Sequence, residues 1–187
     1  MSGFRIVGTT GICDAGFLSV VDLDVRGPDG EEFQRTIVRH PGAVVVVPVE
    51  SDGVTARLVR QFRAAPGREL LEVPAGKRDV PGEPPEATAS RELEEEVACR
   101  PGRLVTLAEF YNSPGFCDEY THVFAALDLV DLPARRAQGA EERAMTIERV
   151  ALSDVERLVG TRELVDAKSI VGLLLTRRLL ESGHSDH

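Results

Sequence analysis

The chain has 187 residues, 28% of them charged, a formal net charge of −9 and a pI near 5.0. That length suits a single domain with a real core, and an acidic balance without a basic, aromatic-interleaved patch argues against nucleic acid as a partner. Three scattered cysteines (Cys13, Cys99, Cys117) fit reduced thiols better than a disulfide framework or a zinc site, and no apolar run approaches a membrane span. With no h-region at the start either, a soluble cytoplasmic protein with no membrane partner is expected.

In chain order, residues 17–26 and 32–38 read as two strands joined by the turn Gly27-Pro28-Asp29-Gly30, an N-terminal hairpin. The continuous apolar run 43–49 predicts a strand buried on both faces, with 55–62 as its partner. A strand over 70–73 then breaks into a Gly/Pro loop. Prolines 84 and 85 and the acidic Glu83 and Glu86 open a helix carrying Arg91-Glu92-Leu93-Glu94-Glu95-Glu96. Strands at 104–110, 121–127 and 146–150 follow. A helix over 153–159 capped by Ser153 and a longer one over 167–181, with Ile170 and Leu174 in its apolar stripe, complete an α+β chain. The tail 182–187 is expected to fray.

At about 100° per residue, Glu92, Glu95 and Glu96 share one arc of their helix while Glu94 points away. Ala89, Leu93 and Val97 form the adjoining apolar stripe, so the acidic arc lies at the edge of the core. Carboxylates held so close repel one another unless a cation sits between them, and hard divalent ions favour such oxygen ligands. A string like this is by itself most often a solvated helix face. The preceding strand and glycine loop are what make it a site geometry.

The segment 76–99 resembles the Nudix box, G-x5-E-x7-R-E-U-x-E-E-x-G-U with U aliphatic. Gly76, Glu83, Arg91, Glu92, Leu93, Glu95 and Glu96 fall on its defining positions. Six residues rather than five separate Gly76 from Glu83, and Ala98 replaces the late glycine, which is tolerable only if that residue avoids positive φ. Downstream, Asn112-Ser113-Pro114-Gly115-Phe116-Cys117-Asp118-Glu119 is similar to a motif of Nudix members resembling ADP-ribose pyrophosphatases, with Cys117 where that motif has serine or threonine.

The resemblance implies a Nudix α/β/α sandwich with a mixed sheet and an N-terminal β-hairpin extension. Residues 1–39 would be the hairpin region used for homodimerisation, 40–182 the hydrolase domain and 183–187 a flexible tail. It implies Mg²⁺, with Mn²⁺ as the alternative ion, held by Glu92, Glu95, Glu96 and the carbonyl of Ala75. Arg35, Arg63, Glu72, Pro114, Gly115 and Glu119 would bind a nucleoside-diphosphate sugar, with Phe33 beside Arg35 as a contact across the dimer. The general base would come from a mobile loop at 139–143, Glu142 first and Glu141 second, with Glu119 the next candidate. The activity implied is hydrolysis of ADP-ribose to AMP and ribose 5-phosphate. Hydrolysis of another nucleoside-diphosphate sugar and a non-catalytic ADP-ribose sensor are the alternatives. His40, His122, His184 and His187 show neither metal nor triad spacing.

Overall fold

The computed structural model describes residues 3–137 and 139–183. The chain forms two compact units, one of residues up to Gly42 with Phe110–Thr121, the other of Ala43–Glu109 with the residues from His122 onward. The segment 110–121 thus groups with the N-terminal strands.

In the first unit, β1 (Arg5–Ala15), β2 (Leu18–Arg26) and β3 (Glu32–Arg39) form an antiparallel sheet in that order. The expected hairpin is β2–β3, closed where Gly30 adopts φ 87° and donates to the Gly27 carbonyl at 3.1 Å. The extension is a three-stranded meander rather than a hairpin. β1 escapes sequence-based prediction because it is exposed along nearly its whole length and twice bulged, so it carries no alternation of buried and solvated positions. The end of β3 is paired by the 113–118 loop: Val38 N–H donates to the Phe116 carbonyl at 2.7 Å, and the Val38 carbonyl accepts from Asp118 N–H at 3.2 Å.

The second unit begins with β4 (Ala43–Pro48), buried at every position, followed by β5 (Thr55–Arg63), β6 (Arg68–Glu72), β7 (Ala75–Lys77) and the helix α1 (Pro85–Val97). Then come β8 (Cys99–Arg100), β9 (Arg103–Tyr111), β10 (Tyr120–Leu127), β11 (Val130–Asp131), α2 (Ala140–Ala144), β12 (Thr146–Ala151), α3 (Val155–Gly160) and α4 (Ala167–Gly183). β4 lies inside a sheet ordered β7-β4-β10-β9. β5 is not its ladder partner: it pairs with β6 and β12, meeting the chain just after β4 at the bridge Val49–Ala56, while Val59 packs with Val44 and Val46 in one core cluster. Both strands bury apolar residues, and apolarity alone does not choose a partner.

Strand periodicity gives β4 two faces. Val44 and Val46 pack in one cluster with Ala89, Leu93 and Val97 of α1, while Val45 and Val47 lie against α4 at Gly172. α4 approaches on small residues. Its buried positions are Ser169, Gly172, Leu173 and Thr176, and a Cβ on Gly172 would stand 3.0 Å from Val47 Cγ2. The expected stripe through Ile170 and Leu174 is only half-buried, because close packing selects the small face instead. Each fully buried valine contributes roughly 1.5–3 kcal/mol of apolar burial, so this three-layer stack is the unit's main stabilising term.

Further local expectations are corrected. Ser153 caps nothing: a 3-10 turn over Leu152–Asp154 precedes α3, and Asp154 occupies the cap position. The expected loop at 139–143 is the short helix α2. Gly183 ends α4, and the rest of the tail, 184–187, lies outside the described residues. Ala98, at the C-terminus of α1, adopts φ 53° and ψ 45°, the left-handed conformation that favours glycine. Its methyl group costs about 1 kcal/mol there. Ala98→Gly is expected to raise unfolding stability by about 1 kcal/mol, read from the urea midpoint, with an unchanged m-value.

Candidate active site

The residues around α1 show why the sequence motif is built as it is. Pro85 takes the first helical position, where its missing N–H costs nothing, and Glu86 faces the positive end of the helix dipole. One arc of the helix buries Ala89, Leu93 and Val97 completely. Beside it Glu92, Glu95 and Glu96 are only 5–8% exposed. Glu94 points away, as predicted, and pairs with Arg100 at 2.6 Å and Arg136 at 3.4 Å.

Removing three carboxylates from water is costly unless cations or donors face them. Arg91 supplies much of that compensation. Its guanidinium lies 2.7 Å from Glu92, 3.4 Å from Glu95 and 3.4 Å from Glu83, whose other partner is the Thr88 hydroxyl at 2.7 Å. Glu96 accepts the Ala75 N–H at 3.2 Å. Gly76 is required by close approach rather than by φ, since a Cβ there would fall onto the Glu92 carboxyl group. Its role and that of Arg91 are spatial, and spacing along the chain does not show them.

Burial pushes the Glu92 carboxyl up to about 7, against the pull of Arg91 and helped by the charges of Glu95 and Glu142. Glu96 is raised well above the usual carboxylate range, first by burial and then by Glu92, with Ala75 N–H and Arg63 acting in the opposite direction. Glu142 adds to both shifts, so α2 brings its carboxylate within electrostatic reach of the arc. Glu142 also accepts the Gly139 N–H at 3.4 Å, while Glu141 is exposed.

The donor chemistry, three buried carboxyl groups on one arc of a helix with Glu92 and Glu96 disfavouring their own ionisation, suits a hard divalent cation. As they stand, the side chains are engaged by Arg91 and Ala75, and among the described residues no three acidic, histidine or cysteine side chains are grouped around an ion position.

Two further sets of bonds fix the frame. Arg63 at the end of β5 is bidentate to Glu72 at 2.8 and 2.7 Å, and Glu72 is 1% exposed. The carbonyls at the end of α1 are met by groups from other segments: Val97 by Arg57 at 3.1 Å, Ala98 by Leu132 N–H at 2.7 Å, Glu94 by Arg136 N–H at 3.4 Å, and Glu96 by Arg135 at 3.5 Å. Arg135 also donates to the Met145 carbonyl, just past α2, at 3.0 Å.

The remaining predicted contacts belong to the first unit. Arg35 is exposed, donates to the Gln34 carbonyl at 2.8 Å and stacks 4.4 Å from the centre of the Phe33 ring. Pro114 and Gly115 lie in the loop that pairs with β3, and the Glu119 carbonyl accepts Asn112 N–H at 3.1 Å. Asp118, not predicted, is better anchored. It accepts from Arg39 at 2.8 Å and from His40 N–H at 2.8 Å, beside a cavity of about 400 Å³ that Phe17 and Ser19 also line.

Residues 38–169 match the family model described as the NUDIX domain, well over half of the chain. The chain belongs to the Nudix family. It is 44% identical over 153 residues to an ADP-ribose pyrophosphatase of Bacillus subtilis (strain 168), covering 80% of this chain and 81% of that one. An ADP-ribose pyrophosphatase of Mycobacterium tuberculosis (strain ATCC 25618 / H37Rv) is 38% identical over 150 residues, 80% of this chain and 72% of that one. A methanol dehydrogenase activator of Bacillus methanolicus is 33% identical over 150 residues, 80% of each chain. The fold is that of a solved structure described as an ADP compounds hydrolase, with a TM-score of 0.82 at 22% identity over 96% of this chain and 95% of that one. The expected α+β Nudix fold is therefore the observed one, and Glu92, Glu95 and Glu96 are the Nudix-box glutamates.

Because the ordinary glutamate value is 4.5 and the folded value of Glu92 is about 7, its contribution to stability is full below pH 4.5 and is lost as pH rises through 7. Glu96 adds in the same direction. Glu50, Asp118 and Asp166, all lowered, act oppositely and lose their contribution only on acidification below their ordinary range. The metal-free protein is thus expected to melt at progressively lower temperature from pH 4.5 to 7. Glu92→Gln should flatten that slope, and a divalent ion should raise the melting temperature more at pH 8 than at pH 5. Identical slopes for wild type and Glu92→Gln would rule out the assignment.

Proposed function

We propose that this Nudix enzyme hydrolyses the diphosphate of ADP-ribose to AMP and ribose 5-phosphate, using Mg²⁺. The observation that carries the reading is the buried, mutually repelling set Glu92, Glu95 and Glu96 in a chain 44% identical to an ADP-ribose pyrophosphatase. All three carboxylates are present, which favours a hydrolase over a sensor that only binds its ligand.

The bound ion would neutralise the phosphate oxygens and polarise phosphorus for attack by water. Glu92, Glu95 and Glu96 would hold it, with the carbonyl of Ala75, whose N–H already binds Glu96, as a further ligand. Arg63, kept in place by Glu72, binds the diphosphate as a planar, permanently charged donor pair. Glu142 accepts the proton of the attacking water. It is supported over Glu141 by the electrostatic reach of its carboxylate to Glu92 and Glu96. As water's oxygen bonds to one phosphorus, the bridging P–O bond breaks and the bridging oxygen leaves on the other phosphate. Arg35, Pro114, Gly115 and Glu119 are proposed to contact the nucleoside and sugar.

Activity is expected as release of AMP from ADP-ribose in the presence of Mg²⁺. Glu96→Gln should keep the fold and reduce kcat by about a hundredfold or more. Glu142→Gln should reduce kcat far more than it changes KM, since a base acts in the transition state. Near-normal kcat in Glu142→Gln, Glu141→Gln and the double variant would place the base elsewhere.

The β1–β3 sheet is proposed as a homodimer surface. Its support is the exposure of Phe4, Ile6, Ile12 and Phe17, each 49–58% exposed, which single small sheets do not ordinarily leave in water. Sedimentation is expected to give twice the 20.3 kDa chain mass, and removal of residues 1–38 to give a monomer. An unchanged, fully active monomer after that truncation would refute it.

A further inference from the structure

We propose that Ser169 and Asp166, at the start of α4, are positioning residues for Arg63, acting through the backbone at Val73. The proposal rests on the reading of Arg63 as the diphosphate contact.

Val73 lies one residue beyond the last ladder position of β6, so its N–H has no strand to pair with. It donates instead to Ser169 Oγ at 2.9 Å, inside a region where Val73 is 1% and Ser169 0% exposed. The same hydroxyl donates to Asp166 Oδ2 at 2.6 Å, and Ser169 N–H donates to that oxygen at 2.9 Å. A carboxylate only accepts, so the hydroxyl proton must point to Asp166 and its lone pairs are left for Val73. The direction of the whole chain of bonds is thereby fixed. Lys168 holds the other carboxylate oxygen of Asp166 at 2.7 Å, which stops it turning away.

The bond to Asp166 alone would be an ordinary helix cap. The bond to Val73 is different, because it ties α4 to the residue that follows Glu72 and lies two before Ala75. Glu72 fixes two of the three guanidinium nitrogens of Arg63, Nε and Nη2, and Ala75 N–H holds Glu96. Rotation of the Glu72–Val73 peptide would swing the Glu72 carboxylate and take Arg63 with it. Asp166 also adds its charge to those felt by Arg63, alongside Glu72 and Glu96. Pro74 is fixed on the other side, its carbonyl accepting Val46 N–H at 2.9 Å, so Val73 is the point at which this segment is held by α4 rather than by the sheet.

The test compares Ser169→Ala and Asp166→Asn with Thr176→Val, a change on the same buried face of α4 whose hydroxyl has no hydrogen-bond partner among the described residues. Proton NMR of the unliganded protein reads the Val73 amide and the Arg63 Nε–H, and steady-state kinetics on ADP-ribose with saturating Mg²⁺ are run well below each melting temperature. In Ser169→Ala the Val73 amide should exchange about a hundredfold faster. The Arg63 Nε–H signal should shift or broaden, and KM should rise about tenfold with kcat within about twofold. Thr176→Val should change none of these, even if it melts earlier. A wild-type Arg63 signal and wild-type KM in Ser169→Ala would overturn the proposal whatever its stability. Should Ser169→Ala fail to fold, Asp166→Asn, which retains an acceptor oxygen but not the charge, is read by the same signals and decides in the same way. If the wild-type protein does not cleave ADP-ribose, the functional reading fails separately, and the Arg63 Nε–H signal alone decides the positioning claim.

Discussion

Desolvation of three carboxylates on one helix face is the constraint on which the rest of the second unit depends. Ala89, Leu93 and Val97 place α1 against β4, and in doing so they draw Glu92, Glu95 and Glu96 out of water. The structure meets that cost with a small set of groups at fixed places: Arg91 on the same helix, the Ala75 N–H on β7 and the field of Arg63 from β5. The compensation is incomplete, as the raised Glu92 and Glu96 carboxyls show. A fully neutralised cluster would be a structural ion-pair network, whereas an under-neutralised one retains affinity for a further cation.

The legibility of these features in the sequence follows the strength of each periodic signal. α1 and its two faces are readable because apolar and acidic residues repeat with the helical period, and β4 because it is apolar at every position. β1 is invisible: Arg5, Thr9, Thr10 and Asp14 share an exposed strand with glycines and bulges, and its hydrogen bonds to β2 leave no trace in hydropathy. The partnership of β5 with β6 and β12 is equally hidden, since ladder choice depends on the whole topology. Ala98 is expected to avoid positive φ, yet the chain must reverse there toward β8, and the turn overrides the residue's preference. Residues whose importance is spatial, such as Ser169 and Arg135, have no pattern to announce them.

α4 illustrates a second rule of this unit. Its most hydrophobic side chains do not define its buried face; Ser169, Gly172 and Thr176 do, around the single large residue Leu173. Small residues let the helix axis come close to Val45 and Val47, and that proximity brings the first turn of α4 within hydrogen-bond distance of the strand connection at Val73. Packing and polar geometry are therefore set by the same choice of residue size.

The bonds that close the C-terminus of α1 have a mechanical meaning. Leu132, Arg135 and Arg136 lie on the chain leading to α2, and Met145, buried in the α1 core cluster, lies immediately after it. The segment carrying Glu142 is thus hung between two pins on the helix that carries the box glutamates. Carrying Glu142 far from its place would therefore have to free the Glu94 and Glu96 carbonyls at the end of α1 or expose Met145, so the reach of that carboxylate is tied to the box helix itself.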